Sequence, residues 1–146
     1  MDKTIEKFIT GRSFAIAGVS KDSRKFGNAI VKELVQRGFT IYPVHPSLER
    51  VEGVKCYSSL DLVAGFTRSL IVCVKPENAI RVVKEAAVCG FNLVWLQQGC
   101  GTDKVVEAAK GAGLEVVSGK CILMYTEPVG GFHKFHRGVN KLFGKY

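Results

Sequence analysis

No apolar run in the 146 residues approaches the length of a bilayer span, so the sequence does not read as membrane-crossing. The first seven residues contain acids and no following apolar core, which excludes a signal peptide and makes the cytoplasm the expected location. No pair among the 5 cysteines has C-x-x-C spacing, and the count is odd. Both facts argue against a disulfide framework and for reduced thiols. Acidic residues are scarce: 13 against 21 basic ones, a net charge of +8. A field of that sign draws anions and does not by itself choose among polyphosphates, nucleic acid and anionic lipid. Prolines number 4, against 16 glycines and a hydrophobic share of 47%, a balance foreign to disordered or fibrous chains.

What is present is an alternation of short apolar runs and helix-period segments. Ser13 to Val19 is apolar and β-rich and reads as a buried strand, followed by a polar turn. Phe26, Ile30, Val31, Leu34 and Val35 recur at helical spacing, and Gly38 supplies the C-cap. Phe39 to Val44 is a second strand. A loop over 46–53, an extended piece at Val54 to Tyr57 and a short helix at Leu60 to Ala64, capped by Ser58 or Ser59, come next. Ser69 to Val74 is a third apolar strand. Pro76 opens a helix with an apolar face of Ala79, Val82, Val83, Ala86 and Ala87, closed by Gly90. Asn92 to Leu96 is a fourth strand, Thr102 caps a helix to about Lys110, and Leu114 to Val117 is a fifth strand.

This pattern predicts an α/β fold: a three-layer, Rossmann-like, doubly wound parallel sheet of about five strands, ordered 3-2-1-4-5. Residues 1–126, including a short helix at Thr4 to Ile9, form the expected domain. Residues 127–146 form a basic extension packed on it, with an amphipathic helix near Lys134 to Phe143.

Ligands of such sheets lie beyond the carboxyl ends of the strands. Four segments should meet there: 18–28, 43–46, 74–76 and 97–101. Gly18 permits a tight turn, Ser20 offers a hydroxyl, and Lys21, Arg24 and Lys25 offer cations. The helix start near Lys25 adds its amides and dipole, and Gly27 leaves room for close approach. These residues suit a phosphate. They also suit plain strand–helix packing with solvated cations. The turn lacks the middle glycine of G-x-G-x-x-G, and Tyr42-Pro43-Val44-His45-Pro46 supplies no acid for a ribose, so a nicotinamide dinucleotide is disfavoured. No Walker loop occurs.

Five stretches, in this order and spacing, carry a resemblance: Gly18-Val19-Ser20 with Lys25-Phe26-Gly27, then Tyr42 to Pro46, Val74-Lys75-Pro76, Val94-Trp95-Leu96-Gln97, and the late Cys121. Together they resemble the stand-alone CoA-binding domain proteins, themselves similar to the N-terminal CoA-binding domain of the succinyl-CoA synthetase α subunit. The resemblance spans about Ser13 to Met124. It implies that coenzyme A, or an acyl-CoA, lies across the strand ends. The implied contacts are Gly18, Val19, Ser20, Lys25, Phe26, Gly27 and Asn28 at the phosphates. Pro43, Val44, His45, Pro46, Val74, Lys75 and Pro76 would follow the adenosine and pantetheine, with Gln97, Gln98 and Gly99 nearby. It implies no ligase chemistry.

No catalytic constellation is evident, so the expected role is a non-catalytic carrier, sensor or regulator. Cys121 is the candidate reactive thiol, able to form a mixed disulfide with CoA if exposed, and Cys100 is weighed the same way. Cys56, Cys73 and Cys89 read as small packed hydrophobes. His133 and His136 lack a third metal ligand, so no metal is expected. His45 reads as a polar group at the pocket rim. An enzyme acting on an acyl-CoA or nucleotide cofactor is the first alternative. A nucleic-acid binder using the basic tail is the second, without a recognisable motif. The partner expected is the small-molecule CoA ligand, with a homodimer left open.

Overall fold

The computed structural model describes residues 2–127. The basic tail, with His133 and His136, and the amphipathic helix expected there lie outside the described residues. The elements are α1 (Lys3–Thr10), β1 (Ser13–Ala17), α2 (Phe26–Gln36), β2 (Thr40–Val44), β3 (Arg50–Val51), β4 (Val54–Lys55), β5 (Ser69–Val72), α3 (Pro76–Cys89), β6 (Leu93–Gln97), α4 (Asp103–Gly111) and β7 (Glu115–Lys120). Short 3-10 turns occupy Leu60–Leu62 and Ile122–Met124.

Five strands form one parallel sheet in the order β2-β1-β5-β6-β7. The strands are apolar on both sides because both faces are covered. On one face, Phe8 of α1 and Ile30, Val31 and Leu34 of α2 pack on Phe14, Ile16, Ile71 and Trp95. Phe8 stacks on Phe14 at 4.8 Å between ring centroids and tilts against Trp95 at 5.4 Å. On the other face, Ala79, Val83 and Ala86 of α3 and Val105 and Ala109 of α4 pack on Ala15, Leu70, Val72, Val94 and Leu96. The fold is therefore α/β, Rossmann-like and doubly wound, as the alternation predicts.

The strand order departs from expectation. Counted along the chain, the five strands run 2-1-3-4-5, not 3-2-1-4-5. The segment after β2 carries no crossover helix long enough to lay a further full strand outside it. It forms instead a hairpin of β3 and β4 around Glu52 and Gly53, both at positive φ (48° and 80°), the geometry of a tight two-residue turn. Tyr57 then makes a single parallel bridge to Val44, a stub in the place of an outer strand. The chain returns over the sheet, and β5 pairs with the free side of β1. β7 also runs longer than the apolar run 114–117, reaching Lys120, whose carbonyl accepts from Trp95 Nε1 at 3.0 Å.

Helix ends follow their local signals. Asp2 caps α1, accepting from Thr4 N at 2.7 Å, and Thr102 caps α4. Gly38 and Gly90 stand past α2 and α3 at φ 91° and 96°. Among the described residues, no helix is long and apolar enough to cross a membrane. None of their His, Cys, Asp and Glu side chains form a group of three able to hold a metal.

Candidate ligand site

A cavity of about 530 Å³ opens beyond the carboxyl ends of β1, β5 and β6. It is lined by Gly18, Val19 and Ser20 after β1, by Lys25, Phe26 and Gly27 at the start of α2, by Cys73 to Pro76, and by Gln97 to Cys100. The close meeting of three backbones makes this space. A Cβ on Gly18 would stand 2.1 Å from the Cys73 carbonyl oxygen, and Gly18 has φ +123°. A Cβ on Gly27 would stand 2.2 Å from the Gly18 carbonyl oxygen. The β1 turn, the β5 end and α2 therefore touch through atoms that no side chain separates.

Two helices begin at this cavity, and neither start is capped by a side chain. Lys25 precedes α2, and Lys75 precedes α3, where Pro76 takes the first helical position. Two positive helix ends and two exposed ammonium groups thus face one space. Such an arrangement attracts anionic oxygens.

Asn28, expected as a ligand contact, lies just outside the lining and holds Ser20. It is buried, its Oδ1 accepts from Ser20 N, and its Nδ2 donates to Ser20 O, both at 2.8 Å. This two-bond clamp mimics a strand partner and fixes the loop after β1. Ser20 Oγ in turn accepts from Asp22 N at 3.1 Å. Arg24 lies outside the lining and is engaged by the Asp22 carboxylate through Nε and Nη2 at 3.0 and 3.1 Å. The Arg24 side chain holds the Asp22 carboxyl below its usual range.

The strand-two turn stands apart from this lining. Pro43, Val44 and His45 do not line the cavity, and Pro46 lines a second one, of about 770 Å³, with Arg50, Lys55 and Tyr57. The Ser47 and Leu48 amides donate to His45 Nδ1 at 3.1 and 3.3 Å, so the ring organises its own loop.

Sequence reasoning placed Cys73 among packed hydrophobes, yet it lines the cavity beside Cys100. Its position one residue past β5 was the available signal. Cys121 is buried with Ile122 and Leu123 and is not part of the lining, so it lacks the exposure that reactivity requires. Burial pushes the Cys73 thiol up to about 12, with Cys100 and Cys121 adding to the effect, and burial also raises Cys100. At pH 8, Cys73 is thus a neutral thiol. Alkylation by iodoacetamide, read site by site by mass spectrometry, is expected to be about a thousandfold slower at Cys73 than at an unfolded-chain cysteine. Labelling at the free-thiol rate would contradict this.

The model of the family described as "CoA binding domain" matches residues 12–127. The chain belongs to that family. Its curated relatives include an acetate–CoA ligase (ADP-forming) of Methanocaldococcus jannaschii, 29% identical over 144 residues, covering 92% of this chain and 19% of the ligase. An uncharacterized protein of Bacillus subtilis, YneT, is 26% identical over 76% of this chain and 82% of its own. The chain thus spans a fifth to a third of the archaeal ligases it matches (19% and 31%) but most of the Bacillus protein. Among solved structures, a conserved hypothetical protein from Pyrococcus furiosus is 35% identical with a TM-score of 0.71, covering 76% of this chain and 96% of that one. A hypothetical protein from Pyrococcus horikoshii aligns at TM-score 0.76 and 28% identity, over 86% and 89% of the two chains.

Proposed function

We propose that the cavity binds coenzyme A or an acyl-CoA, and that this CoA-binding domain acts by binding, as a carrier, sensor or regulator. The observation that carries the reading is the pair of uncapped helix starts, each preceded by a lysine, Lys25 and Lys75, around a glycine-walled cavity. That is a receptor for phosphate oxygens at one side of the pocket. The family match and the ligase names among the relatives supply CoA as the phosphate-bearing ligand. Among the described residues the lining contains no Asp, Glu or His, and so no carboxylate or imidazole for proton transfer, which supports binding without turnover.

Calorimetric titration of reduced, ligand-free protein with CoA tests this, with NAD, NADP and ATP as controls at two salt concentrations. Saturable binding selective for CoA is expected. Lys25→Ala and Lys75→Ala are each expected to weaken it about tenfold and to flatten its salt dependence. A folded protein that binds no CoA would overturn the proposal.

A further inference from the structure

The helices on the α3/α4 face of the sheet pack on β1, β5 and β6. The edge strand β2 is overlaid there by rings. Tyr42 of β2 stacks on Phe66 at 5.1 Å between centroids, and Tyr57 meets the two edge-on at 6.1 and 6.0 Å. Phe66 is nevertheless 54% exposed, and Leu62, four residues earlier, is 51% exposed. The other exposed large apolar side chains among the described residues, Val35 and Val88, stand on α2 and α3. An apolar surface concentrated in one place marks a contact face.

The described chain ends near this edge. The Thr126 carbonyl accepts from Arg37 Nη1 at 2.7 Å, and Arg37 stands three residues before Thr40, which opens β2. Phe66 lies at the same end of the sheet, since the neighbouring Thr67 hydroxyl donates to Ser13 O and Ser13 is the register partner of Thr40. The exit is on the α2 face and the rings are on the other. Packed layers stand about 10 Å apart, so the path round the end of β2 is on the order of 20 Å. The seven residues 128–134, among them Pro128, Gly130 and Gly131, reach about 23 Å when extended. Phe135, Val139, Leu142 and Phe143 follow, and at helical spacing they fall within about 100° of one another, with the four cations of 134–145 opposite. A stripe that short needs an apolar partner in water.

We propose that residues 135–143 dock on the Leu62, Phe66, Tyr42 and Tyr57 face of their own chain, the apolar stripe on Phe66 and the cations toward solvent. A short tether sets an effective concentration in the millimolar range, on the order of a thousandfold above micromolar protein, so this segment outcompetes a second copy for the face.

NMR of the full-length protein tests this. Nuclear Overhauser contacts are expected from the Phe66 ring and Leu62 methyls to the Val139 and Leu142 methyls, and they should stay within one chain in a mixture of labelled and unlabelled protein. Phe66→Ser and Leu142→Ser should each speed amide exchange over 135–143 about tenfold, and the double variant no further. Leu142→Ser alters no residue of the sheet, so it keeps the test valid if Phe66→Ser does not fold. Absence of contacts to Leu62 and Phe66, or additive effects in the double variant, would overturn the proposal. So would contacts to Val35 instead, contacts between chains, which would make the face a dimer interface, or protection of 135–143 gained only on phosphatidylserine vesicles, which would make the segment a lipid-binding one.

Discussion

Gly18→Ala is expected to cost about 3 kcal/mol or more of folding stability, read as a fall in the urea midpoint, and to abolish the proposed CoA binding. The methyl group would meet the Cys73 carbonyl oxygen at 2.1 Å, and the two residues stand one position past adjacent parallel strands, tied there by the Cys73 N–H donating to Ala17 O at 2.8 Å. The φ of +123° adds strain for any L side chain. Gly27→Ala makes the sharper test. Alanine is the better helix former by about 1 kcal/mol, so helix propensity alone predicts a more stable protein. Its Cβ at 2.2 Å from the Gly18 carbonyl oxygen predicts the opposite, because α2 must move away from the β1 turn. Gly111→Ala, at the end of α4 with nothing within 4 Å of the new Cβ, is the control and should be neutral or mildly stabilising. A Gly27→Ala protein as stable as wild type would show that the turn yields and that the contact does not define the cavity.

Arg37→Leu is the second large effect, expected at about 3–5 kcal/mol in urea unfolding. Arg37 is 2% exposed just past α2. Its Nη1 donates to Leu123 O at 2.6 Å, Thr126 O at 2.7 Å and Thr126 Oγ1 at 3.0 Å, and Nη2 lies 3.3 Å from Glu33 Oε2. Burial pushes the guanidinium pKa down, and Glu33 opposes that shift. Removing the side chain leaves two buried carbonyls without this donor and Glu33 without its counter-charge. Arg37→Lys should recover part of the loss, because an ammonium group supplies charge but not the planar fork. The same 3-10 turn holds Gln97 through Ile122 N, so Arg37→Leu should also loosen the cavity floor. Hydrogen exchange at residues 122–126 checks this. Unchanged protection there, with an unchanged midpoint, would dismiss the clamp.

Much of this architecture is legible along the chain. The apolar runs at β1, β5 and β6, the Pro76 helix start and the Thr102 cap are local signals, and each element forms where its signal stands. Gly18, Lys25 and Gly27 are legible as a candidate anion site for the same reason: a turn after a buried strand and a helix start are consecutive in sequence, whereas Lys75 joins them only in the fold. Strand order is not legible, since it turns on which side of β1 the returning chain docks. The two-residue hairpin at Glu52-Gly53 stands inside a stretch with no apolar alternation to announce it.

Periodicity, capping residues and glycine placement in the sequence therefore determined the doubly wound class, the elements and the end of the sheet at which the cavity opens. Those are properties of neighbours within one or two turns of chain. Tertiary structure alone decided that Asn28 clamps Ser20, that His45 Nδ1 holds its own loop, that Cys73 joins the cavity wall and Cys121 is buried, and that Gln97 is locked by Ile122 with its amide nitrogen unpaired. The physical reason is that a polar side chain takes its role from whichever donor or acceptor folding brings within about 3 Å, and a thiol from the burial it is given. For Gln97 that partner lies 25 residues away in sequence.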